Sequence, residues 1–200
     1  MDPESDTRSR EYTERLVRLQ RAPWKRLLRV QAPYRWNLRR LRPGFTLEVG
    51  CGIGRNLEHL DGNAVGLDLN PFSVAEARRA GLGAFTPAEF RASSWCRPGV
   101  FDSLLLSHVA EHMRREELLA LLREHLVYVR PGGLLILVTP QEVGFRSDPT
   151  HVEFFDFAAL SRLATSLGLA IEKQYSFPFP RFVGRMFRHN EFVLLARKPG

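Results

Sequence analysis

The chain has 200 residues, 44% hydrophobic and 26% charged, which suits a globular fold with a sizeable core and excludes a disordered polymer. No apolar run approaches the ~20 residues of a membrane span, and two cysteines, Cys51 and Cys96, exclude a disulfide framework or a cysteine-based zinc site. The net charge is +7, and residues 1–42 alone hold twelve Lys and Arg against five acids, so the whole surplus lies in that segment.

The first ten residues are polar, carry no signal-peptide core and read as disordered. With no extracellular cysteine pattern, a cytoplasmic location is expected. Tyr12, Leu16 and Leu19 follow helical spacing between Glu11 and Arg21. Pro23 can open a second helix with Trp24, Leu27 and Leu28 on one face. Pro33 restarts the chain, and Tyr34, Trp36 and Leu38 lead towards the first strand. The plain reading of this arginine-coated segment is a cover for a sheet edge. The functional reading is contact with something anionic: phosphate, a lipid headgroup or an acidic substrate.

The segment Thr46-Leu47-Glu48-Val49-Gly50-Cys51-Gly52-Ile53-Gly54 organises the rest of the chain. Leu47 and Val49 read as the end of a buried strand, and Asn56 to Leu60 as the opening of a helix. A strand running through glycines into a helix offers a ligand bare backbone and unpaired N–H groups. The spacing is not the G-x-G-x-x-G of a pyrophosphate turn, which weakens a nicotinamide-dependent dehydrogenase. Glu48 stands beside the turn and suits a cationic amine, hence a nucleoside that bears an amino acid. Cys51 reads as a small filler of the turn. Asn63 to Asn70 is a second short strand ending in Asp68, 18 positions after Gly50, near the interval at which a ribose-binding carboxylate is expected. Asn70-Pro71 opens a helix that Gly81 stops.

Gly83 to Thr86 is a weak third strand, followed by the turn Pro87-Ala88-Glu89-Phe90. Phe101 to Ser107 is the clearest strand after it. Ser107 and His108, at its carboxyl end, are expected to face a ligand crevice. Glu111 and His112 are candidates for fixing the next loop by hydrogen bonds. Glu116 to His125 is an amphipathic helix, Arg130 to Gly133 a turn, and Leu134 to Thr139 a strand. Pro140 to His151 reads as a long polar loop and Phe157 to Leu167 as a helix stopped by Gly168. The strands Leu169–Tyr175 and Glu191–Arg197 are joined too briefly for a crossover, so they should pair antiparallel. The connection carries Phe177, Phe179, Phe182, Met186 and Phe187 among Arg181, Arg185 and Arg188.

Residues 45 to 197 resemble the class I S-adenosylmethionine-dependent methyltransferases, in particular ubiquinone-biosynthesis-like small-molecule enzymes. The motifs in order are E-V-G-C-G-I-G, the acid Asp68, F-D-S-L-L-L-S-H-V-A-E-H and R-P-G-G before an apolar strand. The resemblance implies an α/β fold: a Rossmann-like, doubly wound, mostly parallel seven-stranded sheet with an antiparallel terminal hairpin strand. It divides the chain into a basic helical extension or lid, 1–42, and a methyltransferase domain, 43–200, with Tyr34 or Arg35 near the cofactor's carboxylate. The implied cofactor is S-adenosyl-L-methionine, held by Glu48, Gly50, Cys51, Gly52, Gly54, Asp68, Leu69, Ser107 and His108. Ala88 and Glu89 stand where the family contacts adenine, although its usual Gly-Asp is missing.

Methyl transfer needs no nucleophilic side chain, but a hydroxyl acceptor needs a base, and His151 and His108 are the candidates. His151 belongs to a D-P-T-H pattern also found in relatives; its plainer role is to cap the helix near Phe157. Asp148, His151 and Glu153 match no metal spacing, so no metal is expected. The expected acceptor is a small or lipid-like molecule, methylated at oxygen. The basic and aromatic segments suggest an anionic lipid or membrane surface as a partner. Nucleic acid is a weaker partner, because Ser107-His108-Val109-Ala110 replaces the N/D-P-P-Y turn of amino-methyltransferases acting on it. The alternatives are an RNA methyltransferase and a non-catalytic cofactor-binding adaptor.

Overall fold

A computed structural model describes residues 31–200 together with Arg10, Glu11, Thr13, Glu14 and Val17. Those five are helical: four lie in the first expected helix, and Arg10 extends it into the stretch read as disordered; the second, expected from Pro23, lies outside the described residues. The seven strands run in the order β3-β2-β1-β4-β5-β7-β6, the mostly parallel α/β sheet expected from the sequence. The chain forms two compact units, Met1–Trp95 and Cys96–Gly200.

In the first unit, α1 (Ala32–Arg40) forms where a lead-in to a strand was expected. Pro33 is the reason: its fixed φ suits the first helical turn, and its missing N–H costs nothing there. Arg35 donates to Asp61 at 2.7 Å, and Arg39 also pairs with Asp61. The unit continues through β1 (Thr46–Val49), α2 (Arg55–His59), β2 (Ala64–Leu67), α3 (Pro71–Arg79), β3 (Ala84–Phe85) and α4 (Pro87–Arg91). β1 pairs parallel with β2, and β2 with β3. All four residues of β1 are buried, Thr46 and Glu48 included. Parallel strands covered on both faces lose the in-out alternation.

In the second unit come β4 (Phe101–Ser107), α5 (Arg115–Leu126), β5 (Val129–Pro140), α6 (Glu142–Arg146), α7 (Phe157–Ser166), β6 (Ala170–Phe177) and β7 (Glu191–Arg197). Short 3-10 turns occupy Ala110–His112 and Arg181–Arg185. β5 starts five residues before the expected Leu134. Arg130 to Gly133 lie within the strand rather than in a turn, absorbed at an irregularity where Phe101 faces Val129 and Ser103 faces Leu134. Gly133 is required there, because a Cβ would stand 2.7 Å from the Asp102 carbonyl oxygen. The expected loop after Pro140 contains α6. β5 pairs antiparallel with β7, and β7 with β6. Leu104, Leu105, Leu106, Leu135, Ile136 and Leu137 form the core of this unit. Burying each of these side chains contributes about 1.5–3 kcal/mol.

Candidate functional site

The glycine turn leaves the carboxyl end of β1. Gly50, Gly52 and Gly54 all have positive φ, at 76°, 53° and 86°. Gly54 begins α2, and a Cβ there would meet Leu82 Cδ1 at 2.5 Å, so it serves helix packing as well as the turn. Gly52 N donates to Asp68 Oδ2 at 2.7 Å, and Asn70 N to Asp68 Oδ1 at 2.8 Å. Each Asp68 oxygen therefore keeps acceptor capacity. Burial raises the Asp68 carboxyl above its usual range, against these two donors, which lower it. Leu69 and Phe72 flank it as exposed apolar side chains.

Glu48 is 1% exposed. Asn56 Nδ2 donates to its Oε1 at 2.6 Å, while Oε2 has no partner. Burial pushes this carboxyl up to about 7, with the Asn56 bond and Arg55 opposing. A buried acceptor without a donor is costly, so an incoming ammonium group would be welcome there. Burial, then Glu48 and Asp68, raise the Cys51 thiol well above its ordinary value, so it is an inert filler. Glu89 is engaged elsewhere, closing a capping box with Thr86 and pairing with Arg78 at 2.9 Å. Those bonds lower it to about 2 and use both its oxygens. Of the two adenine candidates, Ala88 alone is uncommitted.

The second unit gathers a different cluster at the carboxyl ends of β4 and β5. His108 has φ 58° and lies between two carboxylates. Its Nδ1 is 3.2 Å from Glu111 Oε1, and its Nε2 is 2.8 Å from Glu191 Oε1. Burial alone would lower this imidazole, but the two carboxylates outweigh it and raise it to about 10. A ring protonated at both nitrogens has no lone pair, so His108 cannot be the resting base. Glu111 is wholly buried, and its Oε2 has no partner.

His151 Nδ1 lies 2.7 Å from the Phe145 carbonyl, which fixes the proton there and leaves the lone pair on Nε2. That Nε2 stands 4.0 Å from Glu111 Oε1. The ring stacks on Phe145 and meets His112 edge-on at 4.9 Å between centroids. His151 does not cap α7; Asp156 does, accepting from Ala159 N at 2.8 Å. His112 Nδ1 faces the Thr150 carbonyl at 3.3 Å, the loop-fixing bond expected of it. Glu191 was not foreseen; its contact crosses 83 positions of sequence, which no local pattern signals. Asn56, the partner of Glu48, was missed because it reads only as part of a helix opening.

The aromatic segment between β6 and β7 is divided. Phe177 is buried, while Phe179, Phe182, Met186 and Phe187 are exposed. Its base is fixed to β7 by Asn190, which accepts from Phe179 N at 2.9 Å and donates to Gln141 at 3.0 Å. Arg181 pairs with Glu142 and covers the Phe192 ring at 4.7 Å.

A family model described as a methyltransferase domain matches residues 18–174. No curated protein matches the sequence significantly. Among solved structures, a SAM-dependent methyltransferase from Archaeoglobus fulgidus superposes with TM-score 0.61 at 18% identity, covering 82% of this chain and 93% of that one. The magnesium protoporphyrin IX methyltransferase from Synechocystis PCC 6803, solved with bound SAM, gives 0.55 at 18%, covering 78% and 71%. The Burkholderia thailandensis 1,6-didemethyltoxoflavin-N1-methyltransferase, with its substrate and S-adenosylhomocysteine, gives 0.56 at 17%, covering 79% and 72%. The match over most of the chain, on the sheet described above, makes this protein a member of the methyltransferase-domain family, a class I S-adenosylmethionine-dependent enzyme.

Proposed function

We propose that the protein methylates a hydroxyl of a small, partly apolar acceptor. The observation that carries this reading is His151: its Nε2 holds a lone pair, set by the bond from Nδ1 to the Phe145 carbonyl, beside the buried Glu111. Such a histidine is suited to take the proton that a hydroxyl loses as it becomes a nucleophile. The bound cofactor supplies a methyl group on a sulfonium whose leaving group is a neutral thioether.

Glu48 binds the cofactor's amine through Oε2, and Asp68 accepts from the ribose hydroxyls. Leu69 and Ala88 cover the apolar faces of the nucleoside, and Gly50, Gly52 and Gly54 let the backbone approach. His108 acts as a fixed charge between Glu111 and Glu191, and Glu111 stands beside His151 to stabilise the imidazolium forming there. The acceptor lies over the carboxyl ends of β4 and β5, with the exposed Phe179 and Phe182 as apolar cover. Residues 1–42 serve as a basic lid. Support for that comes from Thr13, whose hydroxyl bonds to Ser73 and to Asn70, two positions after Asp68.

The test is a methylation assay with isotope-labelled cofactor on metabolite extracts and, in parallel, on RNA. Label on the oxygen of a small molecule is the expected result, with His151→Gln lowering kcat more than it raises KM. Label on RNA alone overturns the acceptor class. Binding of S-adenosylhomocysteine without transfer to any extract leaves the adaptor reading in its place.

A further inference from the structure

We infer that Glu111, His112 and His151 form a site for one divalent transition-metal ion, with zinc as the best fit to two imidazoles and a carboxylate. Among the described residues these are the three whose potential ligand atoms all lie within 4.8 Å of one another. Ligands on a tetrahedral zinc at about 2.0–2.2 Å stand roughly 3.5 Å apart, so side-chain movements on the order of an ångström would close the set.

Three observations point to a cation here. Both histidines direct Nδ1 at a backbone carbonyl, His151 at Phe145 and His112 at Thr150, at 2.7 and 3.3 Å. That leaves both lone pairs on Nε2, the arrangement by which an outer hydrogen bond orients a metal-binding imidazole. Second, Glu111 commits Oε1 to His108 while the fully buried Oε2 has no partner. The same carboxylate has its other oxygen 4.0 Å from His151 Nε2, so a buried acceptor with an unfilled bond lies in a cluster with two imidazoles. Third, the two halves of the set are tied together by backbone: Val152 N donates to the Glu111 carbonyl at 2.6 Å, which holds the residue after His151 against the turn carrying Glu111 and His112.

The donor set selects among cations. Magnesium and calcium prefer oxygen ligands, whereas two imidazoles with one carboxylate suit zinc and its first-row neighbours. Three protein ligands leave a fourth position open, as in catalytic rather than structural zinc sites. This rests on the oxygen-acceptor reading for its role and replaces the base within it: with the ion bound, the His151 lone pair goes to the metal, and an acceptor hydroxyl at the open position would instead lose its proton at a lower pH. The site itself depends only on this chain's residues. The expectation of no metal rests on sequence spacing, which cannot see a set drawn from positions about 40 apart.

The test uses the full chain, free of any affinity tag and stripped with a chelator. Zinc is titrated in competition with a chromophoric chelator, and cobalt is added separately to read visible absorption bands. The expected result is one equivalent of zinc with sub-micromolar affinity, weakened at least 100-fold in His112→Gln and in His151→Gln. His189→Gln, at an exposed position outside the set, should bind as the unmodified chain does. Uptake well below one equivalent overturns the proposal, as does tight uptake that both glutamine variants retain. S-adenosylhomocysteine titrations on the same samples check folding and keep the readings apart. Cofactor binding without zinc uptake removes the metal alone. Zinc uptake in a protein that methylates no hydroxyl leaves the site standing and removes its role in oxygen methylation.

Discussion

Two buried glutamates invite comparison. Glu48 lies one residue before the end of β1 near the glycine turn, and Glu111 lies in the turn after β4. Each has one oxygen in a hydrogen bond and the other without a partner, and among the described residues His59 Nδ1 is the only further buried side-chain atom so left. Their surroundings differ. Glu48 is bonded to a neutral amide, and burial raises it to about 7. Glu111 faces an imidazolium with a second carboxylate behind it. Burial holds the first carboxyl partly protonated near neutrality, and a cationic ligand would favour its charged form. The second already has a cationic neighbour, with His108 Nδ1 3.2 Å from its Oε1. A single type of residue thus makes a ligand-dependent contact in one unit and a standing electrostatic device in the other.

The largest expected effect belongs to the second region. His151→Gln should lower turnover by roughly 10²–10⁴ and move the melting temperature little, read by steady-state kinetics and calorimetry. A variant that melts early yet keeps its rate would reduce His151 to a loop-fixing residue. In the first region, Asp68→Ala should weaken S-adenosylhomocysteine binding at least about 100-fold, since each hydrogen bond to a charged group is worth about 1.5–3 kcal/mol. Isothermal titration checks this, and unchanged affinity would remove the ribose role.

Glu48 should show itself through pH. Its folded value near 7 lies above the ordinary 4.5, so between these the folded state holds a proton that the unfolded state has released. The stabilisation from this group is full below about 4.5 and is lost as pH rises to about 7, an effect of at most about 3 kcal/mol. Chemical denaturation of the ligand-free chain across that range should show the decline, and Glu48→Gln should flatten it. Cofactor affinity should run the other way, rising with pH through 7 in the unmodified chain only. His108 separates the two regions again: raised to about 10, its stabilising contribution is complete below 6.5 and is lost only as pH climbs through 10. An imidazole NMR signal that titrates near 7 would contradict its role as a fixed charge. The smallest effect is Gly54→Ala, which should cost about 1–3 kcal/mol in the first unit through its positive φ. It should leave zinc uptake by the second unit intact; loss of uptake would mean the two regions are not independent.

The sheet is legible in the sequence because its signals are local. The glycine turn, the Asn70-Pro71 helix start and the strand at Glu191 each carry their chemistry within a few residues. The features that escape are of two kinds. Local irregularity hides some of them: Pro33 opens a helix where the sequence reads as a lead-in to a strand, and Arg130 to Gly133 enter β5 at a bulge rather than turning the chain. Long-range pairing hides the rest. Glu48 and Asp68 are found by their distance from the glycines, whereas His108 owes its charge to Glu111 and to Glu191, 83 positions further along the chain, and His151 meets Glu111 only after β5 has run its course. Position alone makes His108 a candidate base; its partners make it a fixed cation instead.

Asn70 commits its whole side chain at one spot. Its Oδ1 caps α3 through Phe72 and Ser73, and its Nδ2 donates to Thr13 in the arginine-rich segment. With the Thr13–Ser73 contact beside it, this amide joins Thr13 of the arginine-rich segment to the helix that follows Asp68. Any strain that ligand capture puts on that helix start would be felt at Thr13, so the N-terminal segment's susceptibility to proteolysis becomes a gauge of what is bound.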